Sequence, residues 1–291
     1  MNTFGLAVGF GIVTSSILAI ASVGLTLQFG VTNYVNFAYG DFMTLGAYLG
    51  WTFNAKLHWN VWLSLVVGAI ALGIFAVLVD RFILSQFTKR FSNLIYILIV
   101  TFGLSLILLN LISAIWSPNF QAMAIAPENP LHLGPFLLTP DQLIVVAIGV
   151  GLMLGVHLLL TRTKLGKAMR AMSDNSSLAS VSGINTKVVT SITWFLTGVL
   201  AGVAGMVLAI DLGSITPGTG ETFLFVIFSA VILGGIGKPY GAMLGALVIG
   251  LATEISAVFI NPAYKLDVAF ALLVLVLLFR PQGIIAVAGK A

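Results

Sequence analysis

Asn33, Asn36 and Asp41, with Gly40 beside the acid, crowd into ten residues, NYVNFAYGDF (33–42), between two strongly apolar stretches. Amide side chains carry both donors and acceptors, which suits a zwitterionic or amide solute without fixing a charge. Asn33 and Asn36 are three apart and share one side if helix persists there. A membrane-buried backbone cannot leave its N–H and C=O groups unsatisfied, so an unwound segment survives only inside protein or against water. Gly30 and Gly40 bracket a place where a helix could unwind in this way. The same residues also suit an interfacial turn, with Asn33 and Asp41 as caps and Asp41 placed just before a helix over 42–55. Capping and lining are not exclusive. The expectation is that Asp41 caps while Asn36 faces a solute path.

Other reactive groups are sparse. Glu254 is the most embedded acid, in IGLATEISAVF, and Asp80 and Asp211 sit near expected span ends. Two roles stay open for Glu254: an acid paired with a backbone or basic group, or part of the path or its gate. A stand-alone proton- or ion-coupled carrier usually shows more intramembrane ionisable groups than this. His58, His132 and His157 are far apart and have no carboxylate at ligand spacing, so no metal site is expected. GGIGKPYG (234–241) superficially suggests a phosphate loop, but that pattern needs Gly five residues before the Gly-Lys pair and Ser or Thr after it. Position 232 is Ile and position 239 is Pro. This chain alone is therefore not expected to hydrolyse ATP; a membrane scaffold or enzyme subunit without a path stays a competing reading at this point. The absence of Cys excludes disulfides, thiolate metal sites and a Cys nucleophile.

One polar stretch stands out, 162–187. Within KLGKAMRAMSDNSSLASV, Leu165, Met169 and Met172 recur at helical spacing, with Lys167, Arg170 and Asp174 elsewhere around the turn. Asp174 and Asn175 can start a second short helix that Gly183 would end. A helix lying across the membrane face and exposing small residues such as Ala168, Ala171 and Ala179 can fit a groove on a partner. A basic interfacial helix binding lipid headgroups is the other reading.

The elements that must position these groups follow from composition. Of 291 residues, 59% are hydrophobic and 8% charged, and the mean hydropathy is +1.11. Soluble domains average about 25% charged residues, so this chain is an integral membrane protein. A net charge of +4 and a pI near 9.4 would suggest nucleic acid in a soluble chain. Here the basic residues fall in a few inter-helix loops, the positive-inside pattern of a chain embedded in a bilayer, and no nucleic acid is expected. Spanning ~30 Å of hydrocarbon takes roughly 20 helical residues, and barrel strands would alternate. Long apolar runs without alternation place segments at about 5–28, 42–55, 61–79, 94–115, 141–160, 188–210, 222–236, 240–259 and 266–279. The expected fold is an all-α polytopic bundle of eight to nine membrane segments, some short or interrupted, forming one domain over 1–291. The first basic residue is Lys56, so the apolar N-terminus lacks the charged region of a cleavable signal and reads as the first span. Nine crossings with the N-terminus outside put eleven of thirteen Lys and Arg in the cytoplasm, including the loop of Arg81, Lys89 and Arg90 and the stretch 162–187; the exceptions are Lys56 and Lys265. The loop 117–140, with Glu128, would be external. Gly46 with Gly50, Gly198 with Gly202, and Gly237, Gly241 and Gly245 recur every four residues, spacing that lets helix backbones approach closely. YGDFMTLGAYLG (39–50) and YGAMLGALVIG (240–250) look alike, and both chance and a parallel repeat account for it.

Three stretches together resemble a known family. VNFAYGDFMTLGAY (35–48) resembles the early signature of the H-type permease subunit of branched-chain amino acid ABC importers. LGKAMRAMSDNSSLASVSGI (165–184) is similar to that family's cytoplasmic coupling segment, and LGGIGKPYGAMLGALVIG (233–250) with RPQG (280–283) is similar to its C-terminal half. The resemblance runs end to end, with 50–160 the least diagnostic part. It implies a multi-pass permease of the bacterial inner membrane that translocates leucine, isoleucine and valine. Similar permeases serve urea, short amides and other small polar solutes. It also implies a second, M-type permease subunit, two cytoplasmic ATPase subunits carrying ATP and Mg, and a periplasmic binding protein. Read from the residues, the path would include Asn33, Asn36, Asp41 and Glu254, and Gly198, Gly202, Gly237, Gly241 and Gly245 would pack helices. On this resemblance, Gly166, Ala168, Arg170, Ala171, Asp174 and Gly183 would dock the ATPase, and the chain would be a transporter subunit, not an enzyme, with no cofactor of its own.

Overall fold

A computed structural model describes residues 3–90, 93–125, 129–134, 136–279 and 283–284. Glu128, Arg280, Lys290 and most of the RPQG motif lie outside the described residues. Each of the nine apolar stretches forms a helix. Seven are long and apolar enough to cross a membrane: Thr3–Thr32, Val61–Thr88, Leu94–Trp116, Pro140–Arg162, Thr186–Leu212, Pro239–Phe259 and Pro262–Phe279. Thr219–Gly234 is a shorter apolar helix. In chain order the α-helices are α1 (Thr3–Thr32), α2 (Tyr39–Trp51), α3 (Val61–Val79), α4 (Ser85–Arg90), α5 (Leu94–Trp116), α6 (Pro140–Arg162), α7 (Lys164–Val181), α8 (Thr186–Leu212), α9 (Thr219–Gly234), α10 (Pro239–Phe259) and α11 (Lys265–Phe279).

Local chemistry sets the helix ends. Asn60, Asn93, Thr163 and Asn185 each accept a backbone N–H of the following turn and so cap α3, α5, α7 and α8. Pro239 opens α10 at a position whose N–H has no intrahelical partner. Gly213, left-handed at φ 69, closes α8. Two helices loosen into π-turns, after α2 at Thr52–Lys56 and after α3 at Asp80–Leu84. Among the described residues four short strands, unforeseen in the sequence, pair locally: β1 (Gln121–Ala122) with β4 (Ser214–Ile215), and β2 (Leu131–Leu133) with β3 (Phe136–Leu138), both antiparallel.

Packing divides the chain into two compact units, one of 1–26, 127–154 and 225–291, the other of 27–126 and 155–224. In the second unit α2 is enclosed: every residue but Leu49 is buried. A helix apolar and buried on all sides belongs inside a bundle, where a broken backbone is shielded from lipid. Its 13 residues span ~20 Å, short of the ~30 Å hydrocarbon thickness. Phe42 meets Phe75 of α3 and Trp194 of α8 edge to face, at 6.0 and 6.2 Å between ring centres. Glycines set the helix distances. A Cβ on Gly46 would lie 2.5 Å from Gly202 Cα, one on Gly202 would lie 2.7 Å from Ala69 Cα, and one on Gly198 2.9 Å from Gly73 Cα. On the last face of α8, Gly205 rests against the Met43 carbonyl.

In the first unit Gly241 and Gly245 of α10 press on the Gly234 and Ala230 carbonyls of α9. Gly237 does not share that face. It lies before α10 in the turn 235–238, at φ 80, so its glycine serves a left-handed turn rather than a helix contact.

Candidate translocation site

The first six residues of NYVNFAYGDF, 33–38, form the break between α1 and α2, and the last four begin α2. Asn33 sits at φ 58, a conformation Asn tolerates better than most residues, and turns the chain away from α1. It is exposed, and its backbone N–H donates to the Phe29 carbonyl at 2.7 Å. Asn36 is fully buried. Its Oδ1 accepts from the Ala38 N–H at 3.1 Å, and its Nδ2 donates to Gln28 Oε1 at 3.4 Å. Asn36 therefore stitches the unwound link to the last turns of α1.

Asp41 does not cap. Helix α2 begins at Tyr39, earlier than expected, which moves Asp41 into the first turn; Ala38 is the N-cap and makes no side-chain bond. There the acid complements the positive end of the helix dipole. It is 1% exposed, and neither carboxylate oxygen meets a donor at full hydrogen-bond geometry. The Ser105 hydroxyl of α5 stands near enough to act as a weak donor, and Glu221 of α9 is the charged group within its electrostatic reach.

Glycine explains how Glu221 comes so near. The first turns of α2 and α9 meet backbone to backbone, Gly40 against Gly220, where neither tolerates a Cβ. Thr44 Oγ1 accepts the Gly220 N–H at 2.9 Å and donates to the Gly40 carbonyl at 3.3 Å. Two short helices thus meet through their N-terminal turns, each carrying a glycine followed by an acid. Interrupted helices meeting in this way frame solute sites in many transporters.

Further polar atoms of this unit are buried without partners: Gln28 Nε2, Tyr39 OH, Tyr48 OH and Trp194 Nε1. Each such group costs about 1–3 kcal/mol, and an ionisable one among membrane helices points by default to function. The aromatic members of this set escape sequence reading because in an apolar helix they look like core. Gln28, a lone amide in the run of α1, was the one signal available.

The C-terminal end of α2 is covered. Trp51 Nε1 donates to the Ala122 carbonyl at 2.8 Å, Trp116 Nε1 to Thr52 Oγ1 at 2.8 Å, and Asn54 Oδ1 accepts the Ala124 N–H at 3.0 Å. Lys56, expected to break the charge rule, stands over the Trp51 ring at 5.5 Å.

Glu254 belongs to the first unit and is paired. Its Oε2 accepts from Lys265 Nζ at 2.7 Å and its Oε1 from Thr14 Oγ1 at 3.2 Å. Of its two open roles, the paired acid is the one the geometry displays.

The polar stretch folds as α7. Met169 and Met172 are buried, while Lys167, Arg170 and Asp174 are exposed and Ala168 and Ala171 half-buried. Gly166 abuts the Leu159 carbonyl and Leu160 of α6, a contact that fixes the α6–α7 corner. At Asn175 the backbone leaves the helix (φ −159, ψ 102), and its Oδ1 accepts the Leu178 N–H at 2.9 Å to start a second short turn. Gly183, at φ 87, ends it. Leu178 and Val181 on that turn are 64% and 88% exposed, an apolar pair the sequence reading passed over.

Known proteins share this plan. The family described as branched-chain amino acid transport system permease component matches residues 7–277. The high-affinity branched-chain amino acid transport system permease protein BraD of Pseudomonas aeruginosa is 30% identical over 94% of this chain and 93% of its own length. The corresponding LivH protein of Escherichia coli K12 gives the same figures. A probable LivH of Methanocaldococcus jannaschii is 31% identical over 96% of this chain and 91% of its own length. Among solved structures, PsaBC from Streptococcus pneumoniae in complex with Fab aligns with a TM-score of 0.54 over 94% of this chain and 91% of that one. At 14% identity that likeness speaks for the fold alone.

Proposed function

We infer the function from one premise: this chain belongs to the family of branched-chain amino acid transport system permease components. It is a multi-pass permease subunit of a bacterial inner-membrane ABC importer and not an enzyme. Such a permease works with an ATPase and a solute-binding protein. The observation that carries the reading is the extent of the match, which spans both the α1–α2 break and α7.

The solute we propose is a branched-chain amino acid, leucine, isoleucine or valine, handed over by a periplasmic binding protein. A second, M-type permease and two cytoplasmic ATPase subunits complete the assembly. ATP and Mg bind those ATPases, and this chain carries no cofactor of its own.

The mechanism follows the packing of the second unit. The ATPase grips α7 through Ala168, Ala171 and the exposed Leu178 and Val181, with Arg170 and Asp174 orienting the contact and Gly183 allowing close approach. Movement of α7 passes to α8, the next helix in the chain. Helix α8 touches α2 and α3 through Gly198, Gly202 and Gly205, where backbone rests on backbone and little side chain can absorb the motion. Helix α2 carries Asp41, whose unpaired carboxylate is suited to the ammonium group of an amino acid. Asn33 stands at the opening of the break and Asn36 holds it in shape.

The test is reconstitution. The chain, its partner permease, the ATPase and the binding protein in liposomes are expected to accumulate labelled leucine only with ATP. Uptake by this chain alone, driven by an ion gradient, would replace the reading with a stand-alone carrier.

A further inference from the structure

A second feature of the 27–126 and 155–224 unit lies apart from Asp41. A partly open recess of about 760 Å³ is bounded by the end of α1, the π-turn and α4 that follow α3, the kink of α7 and the first turns of α8. All four carry the chain ends that the charge pattern assigns to the cytoplasmic side. Its chemistry is lopsided. Arg81 and Lys187 stand on its wall, and so do the hydroxyls of Ser176, Thr190 and Ser191, none of which bonds to another described residue. Tyr34 also lines it; the ring is 5% exposed, yet its phenol donates to no described residue. Asp80 is the lone acid on the wall, and it is already engaged by interactions of its own.

The wall thus offers two cations and the hydroxyls of Tyr34, Ser176, Thr190 and Ser191 against one carboxylate, Asp80, which lies within electrostatic reach of Tyr34. Arg81, Lys187 and Ser176 are exposed and Thr190 and Ser191 half-buried, so these donors face whatever enters the recess, and phosphate oxygens are the acceptors that clustered cations and hydroxyls suit. Val31, Val188 and Ile192 supply an apolar margin to the same recess. Basic pockets between membrane helices on the cytoplasmic side take anionic lipid headgroups. The apolar margin favours a lipid over a free anion, since inorganic phosphate has nothing to place against it.

We propose that this recess binds the phosphate headgroup of an anionic phospholipid from the inner leaflet. Tyr34, Arg81, Lys187 and Ser191 hold the phosphate, and the apolar margin takes the start of the acyl chains. The lipid would tie the α7–α8 corner to the end of α3. The proposal needs only that the chain spans a bilayer; it does not depend on ATPase docking or on the solute.

The full-length chain, purified in mild detergent, is exposed to equal amounts of phosphatidylglycerol and phosphatidylcholine, and retained lipid is counted by native mass spectrometry. Phosphatidylglycerol is expected to be retained preferentially. The R81Q/K187Q double variant should lose about tenfold or more of that retention, at the usual strength of a basic residue at an anionic surface. Tyr34→Phe should weaken retention with an unchanged thermal midpoint, a readout that excludes misfolding. Equal retention of the two lipids, or undiminished phosphatidylglycerol binding by the double variant, would overturn the proposal. Displacement of the lipid by millimolar inorganic phosphate would overturn its source, making the recess a site for a soluble anion.

Discussion

Gly202→Ala adds one methyl group at the point where three helices converge. Its Cβ would lie 2.7 Å from Ala69 Cα and 3.3 Å from Ala69 Cβ on α3, while Gly46 of α2 lies against the same residue. Carbon pairs rest at about 3.5–4.0 Å, so α3 and α8 must part by roughly 1 Å. Neither Ala69 nor Gly46 has a flexible side chain that could yield instead. Overpacking of this kind costs about 1–3 kcal/mol, and the better helix propensity of Ala returns at most about 1 kcal/mol. With the full propensity gain the net loss is about 0–2 kcal/mol, and it falls toward the upper end because neither neighbour can yield. Gly103→Ala on α5 is the control, because a Cβ there meets nothing within 4 Å; it should be neutral or gain up to about 1 kcal/mol. Both variants are purified and melted in the same detergent. At about 2–4 °C for each kcal/mol, Gly202→Ala should melt several degrees below wild type and Gly103→Ala at or above it. Uptake should fall with the first variant alone, since it moves α2 relative to α8. If Gly202→Ala melts with Gly103→Ala, the close approach of α2, α3 and α8 does not hold the unit together.

Four further outcomes are expected. Asp41→Asn keeps shape and removes charge, so the assembled complex should persist while leucine uptake drops by about tenfold or more, on the scale of a lost charge-assisted contact; normal uptake would take Asp41 out of the path. Asn36→Leu strands the Gln28 amide and the Ala38 N–H, so thermal stability should fall by about 1–3 kcal/mol along with uptake, and a loss of uptake at full stability would mean Asn36 contacts solute rather than holding the link. Ala171→Trp should leave the chain inserted but abolish uptake and loosen the ATPase during purification; a complex of normal composition would move the docking surface elsewhere. Lys265→Met removes the partner of Glu254 from a pair 37% and 14% exposed, where screening limits the effect to under about 1 kcal/mol; a large loss of uptake with little loss of stability would make Glu254 part of the path.

The apolar stretches were legible because a membrane span needs length and hydropathy, both local properties. Helix α7 was legible in part: Met169 and Met172 fell inward, and the break at Asp174 and Asn175 appears with Asn175 as the cap. Ala179, expected on the exposed face, is buried because the kink at Asn175 turns the second segment. The role of Asp41 was not legible, since it turns on where α2 begins. A start at Tyr39 and a start at residue 42 differ by one turn and exchange a cap for a buried, unpaired acid. Glycine spacing found faces without finding their partners. Gly198 and Gly202 meet α3, and Gly202 also meets Gly46, but the same four-residue spacing enrolled Gly237, which belongs to a turn. Closest of all is the Gly40–Gly220 contact, between residues 180 positions apart, for which no local pattern exists.

That contact gives the opening motif its reason. In NYVNFAYGDF the left-handed Asn33 ends one helix, Asn36 closes the link, and Gly40 admits the backbone of α9 where any side chain would bar it. Asp41 then lies in the first turn of a helix too short to span alone and enclosed by protein along its length. A carboxylate that is 1% exposed, with Ser105 and Glu221 as its polar neighbours, feels a cation that reaches it more strongly than one in water would. Because α2 is fixed to α8 by glycine contacts and to α9 by Gly220 and Thr44, the acid cannot move without them. On the proposed mechanism, a displacement of α8 changes the surroundings of Asp41 directly, through the backbone contacts of Gly202 and Gly205, and needs no flexible relay between them.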